Sequence, residues 1–382
     1  MMATSMRPLE SMNSKYYALQ LAVKALSCVY APMKLRRTKN RITIISRQSR
    51  EQSLDVALLS DYLENNYPEV ECKVMVKFIE DGLAGRIGYC FHMLSQMWAI
   101  AASKVLVLDG YCICASVLNH KQDLVIVQMW HALAAIKKFG YQALDKEGGR
   151  DGKIAEIMRM HHNYDYVLAP SETVGKAFCE GFNVDRNTIE LLGLPRIDKL
   201  VEAREDNSET KKFRQKVRQE YGVADDQEIV LYAPTFRRGE SVDVSSLINA
   251  LQGSSYKLIV KLHPLYDEEN ISNKTYSTYE WLRVCDRVIT DYSALGVEAS
   301  VTGKPVYFYV YDIDSYKEQT GLNVDPLIEM PGASSKDAGE LAVMMRQPYD
   351  YTALKEFRNK YISVETENCT QKLGDFIYGL TR

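Results

Sequence analysis

The chain has 382 residues, of which 46% are hydrophobic, and its formal net charge is -3. This length exceeds what one compact core accommodates and predicts two domains with a cleft between them. The slightly acidic balance argues against nucleic acid as the main partner, because nucleic-acid-binding domains carry a clear basic excess. No apolar run reaches the roughly 20 residues that a membrane-spanning helix needs.

The first 40 residues join an apolar helical segment, which ends near Pro32, to a group of basic side chains. An amphipathic helix followed by basic residues suits an anionic membrane surface, where each cation contributes about 1 kcal/mol. A helix packed on the first domain, with a solvated linker after it, accounts for the same pattern. The basic side chains are Lys34, Arg36, Arg37, Lys39 and Arg41.

From Arg41 onward, short strand-like segments alternate with helical ones. This alternation predicts a parallel sheet covered by helices on both faces. The strand-like segments of the first half are ITIIS, CKVMVKF, KVLVLDG, LVIVQMW, YDYVLAPS and TIELLG. A charged stretch near residues 202–222 predicts an exposed helix beside a domain junction.

The alternation resumes in EIVLYAP, YKLIVKLHP, RVITDYS and PVYFYVYD, which predicts a second Rossmann-like domain. The predicted boundaries are therefore an N-terminal helix and basic linker at 1–40, a first domain at 41–205, a second at 206–350, and helices that pack back across the junction at 351–382.

The eight cysteines are scattered among apolar segments, without a paired CxxC spacing and without a secretory leader. They are expected to be reduced core residues of a cytosolic protein. They are Cys28, Cys72, Cys90, Cys112, Cys114, Cys179, Cys285 and Cys369.

Four polar motifs directly follow predicted strands: WHA, PTFRR, KLHP and TDYSA. Ligands of open parallel sheets bind outside the carboxyl ends of the strands, so these motifs are expected to meet at one site. Their cations, hydroxyls and amides suit a phosphate-bearing ligand that lies between the domains.

TDYSALGVEAS predicts a helix that Asp291 or Ser293 caps, with an anion site at its free amides. Glu298 could then accept hydrogen bonds from a ribose diol. A capped helix without any ligand explains the same residues.

KLHP adds Lys261 and His263, and PTFRR adds Thr235, Arg237 and Arg238. Such groups at strand ends can neutralise the charge of a phosphate.

Two further patterns do not predict sites. Gly82, Gly85 and Gly88 are spaced as GxxGxxG, which fails the dinucleotide fingerprint and favours a turn leading into a helix. His161 and His162 are adjacent, so their rings are expected to point in different directions and not to share a metal.

Six motifs in order resemble the CDP-glycerol glycerophosphotransferase family of teichoic-acid synthesis. They are WHA at 130–132, YVLAPSE at 166–172, GLPRID at 193–198, YAPTFR at 232–237, KLHP at 261–264 and DRVITDYSA at 286–294. The resemblance runs from about residue 40 to the C-terminus and is strongest over 124–311. It implies a GT-B arrangement of two Rossmann-like domains, which transfer polyol phosphate from a CDP-activated donor to a lipid-linked acceptor.

The resemblance also implies residue roles. His131 corresponds to the family's base, and His263 to a second essential histidine beside the donor pyrophosphate. The expected donor-binding residues are Thr235, Arg237, Lys261, Asp291, Tyr292, Ser293 and Glu298. The other residues expected near the cleft are Trp130, Ser171, Gly193, Pro195 and Arg196.

Two departures from the family pattern concern the ligands. The family commonly reads WHGTPLK where this chain has WHALAAIKK, which leaves the identity of the acceptor open. The family's DYSS is DYSA here, so Ala294 lacks a hydroxyl and phosphate contacts must rely more on backbone amides.

The function implied is transfer of glycerol phosphate from CDP-glycerol to a lipid-linked hydroxyl with release of CMP, on the inner face of the plasma membrane. No cofactor is required, and a divalent cation on the donor pyrophosphate stays open. Three alternatives remain: a ribitol-phosphate transferase using CDP-ribitol, a GT-B glycosyltransferase using a nucleotide sugar, and an inactive membrane-surface scaffold. Sequence does not separate a primase from a polymerase.

Overall fold

Two parallel β-sheets, one in each half of the chain, organise the fold. The computed structural model describes residues 8–80, 82–237, 241–262, 273 and 275–382, without the side chains of 8–13. Within these residues the first sheet has six strands in the order β2-β1-β3-β4-β5-β6, and the second has five in the order β11-β10-β9-β7-β8. We call the two halves the N-terminal and C-terminal lobes.

Every strand pairing within the two sheets is parallel. The first sheet contains β1 (Arg41–Ser46), β2 (Glu71–Val76), β3 (Val105–Leu108), β4 (Val125–Gln128), β5 (Tyr166–Ala169) and β6 (Ile189–Leu191). The second contains β7 (Glu228–Tyr232), β8 (Tyr256–Val260), β9 (Arg287–Thr290), β10 (Val306–Tyr309) and β11 (Ser334–Ser335). The central strands β1, β3 and β10 are buried along their whole length, as their β-branched and aromatic composition predicts.

Helices connect the strands and pack on both sheets. Those of the N-terminal lobe are α1 (Pro8–Met33), α2 (Leu54–Asn66), α3 (Gly82–Ile100), α4 (Ile113–Val117), α5 (Gly152–Ile157), α6 (Glu172–Phe182) and α7 (Arg196–Glu202). Those that follow are α8 (Ser208–Glu220), α9 (Ser245–Leu251), α10 (Thr278–Val284), α11 (Leu295–Val301), α12 (Ile313–Gln319), α13 (Pro326–Glu329), α14 (Ala338–Met345), α15 (Tyr351–Tyr361) and α16 (Cys369–Gly379). The fold class is therefore as predicted: α/β, with two parallel sheets.

The N-terminal helix α1 packs against α3 and α5 of the N-terminal lobe. Its Tyr16 hydroxyl donates to Asp151 at 2.7 Å, and its Tyr30 hydroxyl lies 3.0 Å from Nδ1 of His120. No helix in the part of the chain described here is both long and apolar enough to cross a membrane.

Three sequence-based expectations about exposure are wrong. Arg41 is buried because its guanidinium pairs with Glu71 at 2.7 Å, so it is not available to a membrane surface. Cys28 and Cys90 are exposed on α1 and α3 and do not belong to the core.

The C-terminal helices contact both lobes. Helix α15 packs on α6 of the N-terminal lobe and on α11 of the C-terminal lobe, while α16 packs on α2 and α7. Between these helices the amides of Ser363 and Val364 donate to the carbonyl oxygen of Pro170. The domain boundaries at 40, 205 and 350 stay predictions.

Candidate active site

A cleft of about 1000 Å³ lies between the two lobes. Its N-terminal wall comes from the segment after β4, and its C-terminal wall from the segments after β7, β8 and β9. Ligand sites of open parallel sheets lie at these carboxyl ends. The predicted site residues that line the cleft are Trp130, His131, Arg237, Lys261, Tyr292, Ser293 and Glu298.

A hydrogen bond to the backbone fixes the ring of His131. Its Nδ1 lies 3.0 Å from the carbonyl oxygen of Asp109. A carbonyl oxygen only accepts, so Nδ1 carries the hydrogen of the neutral ring and Nε2 keeps a free lone pair. Burial is the main cause that lowers the pKa of His131 to about 4. At neutral pH the side chain is therefore an unprotonated imidazole, which is the form that acts as a base.

The residue before the histidine has a left-handed backbone. Trp130 has φ +63°, which costs a non-glycine residue about 1–3 kcal/mol. Its amide donates to Oε1 of Gln128 at 2.9 Å, and its indole packs against Phe139 and Phe182. The indole centroid lies 4.1 Å from that of the imidazole of His131. The turn and the aromatic packing together set the position of His131.

Arg237 occupies the opposite wall, where two carboxylates hold its guanidinium. Its Nη1 donates to Asp291 at 2.8 Å, and its Nε and Nη2 donate to Asp312 at 2.5 and 2.9 Å. Burial alone would lower the pKa of Arg237, but these carboxylates outweigh burial and raise it. Arg237 lines the cleft, but four of its guanidinium hydrogens are donated to Asp291, Asp312 and the carbonyl of Thr235, and its binding of the donor phosphates stays a prediction.

Asp291 does not cap a helix, contrary to one of our expectations. Its carboxylate is buried and accepts from the amide of Thr235 at 2.8 Å and from Arg237. Neither Asp291 nor Thr235 lies among the residues that line the cleft. Both hold the segment after β7 against the end of β9.

Helix α11 begins at Leu295 without a side-chain cap. The amide of Leu295 donates to Oγ of Ser293 at 3.3 Å, and that of Gly296 donates to the carbonyl of Ser293. These amides are thus not free for an anion. The amides of Ser293 and Ala294 have no acceptor within the described part of the chain, and both residues line the cleft.

Two further predicted residues of the cleft, Lys261 and Tyr292, have partners within the protein. The ammonium of Lys261 donates to the carbonyl of Tyr276 at 2.6 Å. Tyr292 donates its hydroxyl to Asp312 at 3.1 Å and stacks on Tyr316.

Arg196 joins the two lobes rather than lining the cleft. Its Nε donates to Asp55 of α2 at 2.7 Å, and its Nη1 donates to Glu298 of α11 at 2.6 Å. All three side chains are buried. Glu298, which we expected at a ribose diol, lines the cleft, and its other oxygen accepts from the hydroxyl of Tyr279 at 3.4 Å.

Three other predicted residues lie elsewhere. Ser171 caps α6 by accepting from the amide of Val174, Pro195 precedes α7, and Gly193 packs on Cys369. None of them lines the cleft. His263 and Arg238 lie outside the described residues.

Sequence reasoning missed Lys137. It lines the cleft, half-buried, and within the described residues no carboxylate pairs with its ammonium. Burial is the main cause that lowers its pKa, and the charge of Asp291 partly offsets it. The signal that could have found it is a lysine six residues after the histidine, at the end of an otherwise apolar segment.

The position of Lys137 is fixed by hydrogen bonds between the lobes. Its backbone forms an antiparallel bridge with Leu322, and the amide of Lys138 donates to Gly321 at 3.0 Å. The side-chain amides of Gln142 and Asn323 donate to each other. The described residues contain no group of three or more His, Cys, Asp or Glu side chains that could hold a metal.

A sequence profile described as CDP-glycerol:poly(glycerophosphate) glycerophosphotransferase matches residues 29–379. The chain belongs to this family. Its members are phosphotransferases, and the resemblance inferred from the six motifs is confirmed.

Two relatives cover most of the family match. The teichoic acid ribitol-phosphate primase of Bacillus spizizenii is 28% identical over 81% of this chain and 84% of its own length. The teichoic acid glycerol-phosphate primase of Bacillus subtilis is 29% identical over 76% of this chain and 77% of its own length.

The fold of this family member is that of a known wall teichoic acid polymerase, TagF. A structure of a TagF variant with CDPG matches with a TM-score of 0.70 and 20% identity, over 96% of this chain and 98% of the other. This likeness shows a GT-B-like arrangement of the two parallel sheets. A UDP-GlcNAc 2-epimerase of Methanocaldococcus jannaschii matches more weakly, with a TM-score of 0.54.

Proposed function

We propose that the protein transfers a polyol phosphate, glycerol phosphate in the first instance, from its CDP-activated form to a hydroxyl of a lipid-linked acceptor in teichoic-acid or related polymer synthesis. The observation that carries this proposal is the neutral His131, whose Nδ1 is engaged at 3.0 Å and whose ring lines the cleft. Family membership and the activities of the two primases support the donor class.

In the proposed step the acceptor oxygen attacks the β-phosphorus of CDP-glycerol. A new oxygen–phosphorus bond forms as the bond between this phosphorus and the bridging oxygen breaks, and CMP leaves with the electron pair. The proton of the acceptor hydroxyl passes to Nε2 of His131. A positioned base of this kind contributes about 10² to 10⁴ in rate.

Charge on the phosphates is then balanced from two sides of the cleft. The ammonium of Lys137 supplies a cation that no described carboxylate neutralises. The amides of Ser293 and Ala294 supply hydrogen-bond donors without charge. Arg237 acts indirectly, because it holds Asp291 and Asp312 in place. His263 stays a predicted second histidine beside the donor.

We also propose that the lobe carrying His131 contacts a membrane surface, which fits a lipid-linked acceptor. Helix α3 presents exposed apolar side chains at a helical spacing, and Arg36 of the basic segment stacks 3.7 Å above Trp98. The exposed side chains of this apolar stripe are Leu83, Ile87, Phe91, Leu94 and Trp98. Apolar burial combined with cations is the pattern of interfacial helices, and Trp suits the interface.

Helix α1 has a smaller part in this surface than the sequence suggested. Tyr17, Leu21 and Val29 are exposed, whereas Tyr16 and Tyr30 attach the helix to the lobe. The helix is packed on the lobe along one side, and its exposed apolar side chains are available to the proposed membrane surface.

The donor is tested by measuring the nucleotide released from CDP-glycerol, CDP-ribitol and UDP-sugars in the presence of a lipid acceptor. We expect CMP from a CDP-polyol and no UDP from any sugar. Release of UDP alone overturns the proposal in favour of a glycosyltransferase. Release of nothing from any donor favours an inactive scaffold.

Mass spectrometry of the products separates a primase from a polymerase, because each addition raises the product mass by one polyol phosphate. The same spectrum distinguishes glycerol from ribitol.

A further inference from the structure

Two arginine side chains lie over the same buried aromatic ring on the N-terminal lobe. The guanidinium carbons of Arg47 and Arg150 are 5.2 and 5.1 Å from the centroid of Tyr111. The ring itself is fixed, because its hydroxyl donates to the carbonyl oxygen of Met158 at 3.0 Å. Cations over an aromatic face are attracted to it, yet their charges repel each other.

Neither guanidinium has a carboxylate partner. Across the described residues no hydrogen bond or ion pair reaches the side chain of Arg47 or Arg150. Of the acids near Arg150 in sequence, Asp145 accepts from the amide of Gly152 and Asp151 accepts from Tyr16, while Glu147 forms no ion pair with it within the described residues. Partial desolvation lowers the pKa of Arg150 although its side chain is exposed, and the charge of Arg47 lowers it further. A pair of cations without an acid is suited to an external anion.

The two arginines belong to the same edge of the sheet as the proposed base. Arg47 directly follows β1, Tyr111 follows β3 and His131 follows β4, and these strands are neighbours in the sheet. The arginines belong to the N-terminal lobe, whereas the amides of Ser293 and Ala294, which are proposed to bind the donor, belong to the C-terminal lobe.

The side-chain amide of Gln48, the residue after Arg47, and the imidazole of His131 both lie near Gly110. A Cβ atom at Gly110 would lie 2.3 Å from Nε2 of Gln48 and 4.0 Å from Nδ1 of His131. The absence of a side chain at Gly110 thus leaves room for a neutral hydrogen-bond donor beside the base. The charge of Arg47 is among the causes that lower the pKa of His131, so this cation lies close enough to the imidazole to act on it.

We propose that Arg47 and Arg150, with Gln48, form a second anion site that binds a phosphate of the acceptor while His131 accepts the proton of its hydroxyl. This proposal rests on the proposed function for the identity of the acceptor. Two sources offer the same chemistry: a phosphodiester at the polyol end of the acceptor, or the phosphates that attach it to its lipid. Guanidinium groups bind either through planar, two-point contacts.

The test uses short-chain acceptors that differ only in where the phosphate lies. One ends in glycerol phosphate on a neutral tail, one ends in glycerol on a lipid diphosphate, and one has no phosphate. CMP release from CDP-glycerol is measured with the full chain and with Arg47→Gln and Arg150→Gln. Arg50→Gln is the matched control, because Arg50 is exposed and already pairs with Glu80 at 3.2 Å.

We expect each of the two variants to raise the KM for at least one phosphate-bearing acceptor about tenfold or more. The KM for CDP-glycerol and the rate with the neutral acceptor stay within about twofold, and Arg50→Gln resembles the unchanged chain. The acceptor that responds identifies the source of the phosphate. Equal effects on all three acceptors, or no effect on any, overturn the second anion site.

A binding measurement keeps this inference separate from the proposed reaction. The dissociation constant of each phosphate-bearing acceptor is determined by calorimetry without CDP-glycerol. Binding that weakens about tenfold in Arg47→Gln and is retained in Arg47→Lys supports the site even if no CMP is ever released. If the chain releases CMP but its acceptor binding is unchanged by both substitutions, the reaction stands and the site does not.

Discussion

One backbone hydrogen bond decides which nitrogen of His131 carries the proton. The carbonyl oxygen of Asp109 accepts from Nδ1 at 3.0 Å, and the left-handed Trp130 turns the ring toward the cleft. A base needs no charged partner in this arrangement, because the carbonyl alone selects the tautomer.

Replacing His131 by Gln is expected to lower the rate of CMP release about 10² to 10⁴-fold, because the proton of the acceptor hydroxyl loses its acceptor. The KM for the CDP-polyol should change little. Initial rates at saturating donor measure the effect. His162→Gln, which alters an exposed histidine beside Arg159, is the control and should retain full activity. Unimpaired transfer by His131→Gln would contradict the proposed base.

The pH dependence of the reaction follows from the lowered pKa of His131. With a pKa of about 4 the imidazole stays neutral well below pH 6, so this residue predicts no loss of kcat/KM on acidification until about pH 5. An unperturbed histidine would lose activity around pH 6.5. A rate profile between pH 4 and 8 distinguishes the two. A loss of kcat/KM near pH 6.5 would contradict the lowered pKa of His131 if replacing each of the other histidines leaves that loss unchanged.

The same shift affects stability with a definite sign. Between about pH 4 and 6.5 the unfolded chain binds a proton at His131 and the folded chain does not, so the free energy of unfolding falls as the pH falls through this window. Urea unfolding of His131→Gln should show a smaller loss over that window than the unchanged chain. If both proteins lose the same free energy of unfolding over this window, other titrating groups cause the pH dependence.

At this scale the sequence predicted residue types better than their roles. His131 was recognisable because an imidazole at a strand end has no packing purpose. The ion pair between Arg237 and Asp312 could not be predicted, because the two residues are 75 positions apart and only folding brings them together. Lys137 escaped notice because its cleft position depends on a bridge to Leu322 in the other lobe.

At the scale of elements, the junction of α2, α7 and α11 depends on one buried arginine. Arg196 separates the carboxylates of Asp55 and Glu298, which would otherwise face each other in a nonpolar environment. Arg196→Gln removes the cation and leaves both acids unpaired. The expected loss in the free energy of unfolding is about 3–5 kcal/mol.

Urea unfolding with Arg186→Gln as the control tests this expectation. Arg186 pairs with one carboxylate, Glu172, and that pair is solvent-exposed, so its loss should cost no more than about 1 kcal/mol. Similar costs for the two substitutions would show that burial of the Arg196 network contributes little.

Strand positions were predictable, whereas contacts between elements were not. Apolar runs such as ITIIS and VLVL form buried strands of the parallel sheets. Helices cover both faces of such a sheet, so its strands are apolar along their whole length. The exposed apolar stripe of α3 carries no sequence sign of its own, because buried Met93 and Met97 occupy the same helix as exposed Phe91 and Trp98. Only packing decides which face stays open.

For the whole molecule, the stripe on α3 predicts how the protein partitions onto membranes. Phe91→Glu removes an exposed aromatic side chain that would contribute on the order of 2 kcal/mol on insertion, and it adds a charge repelled by anionic lipid. Sedimentation with anionic vesicles is expected to show at least tenfold weaker binding. CDP-glycerol binding should be unchanged.

Ile248→Glu provides the matched control, because Ile248 is an exposed apolar residue on α9 of the other lobe. It should bind vesicles as the unchanged chain does. If both substitutions weaken vesicle binding equally, or neither does, the membrane face is not on α3.

The backbone passes between the lobes twice, once between α7 and α8 and again where α15 and α16 return to the N-terminal half. Two separate covalent connections oppose twisting and sliding far more than they oppose rotation about the line that joins them. Rotation that opens the interlobe gap would in turn have to break the contact of Arg196 with Glu298 and the bridge between Lys137 and Leu322. Exchange of a ligand held deep between the lobes is therefore expected to be slower than exchange at an open surface, because these contacts must first be released.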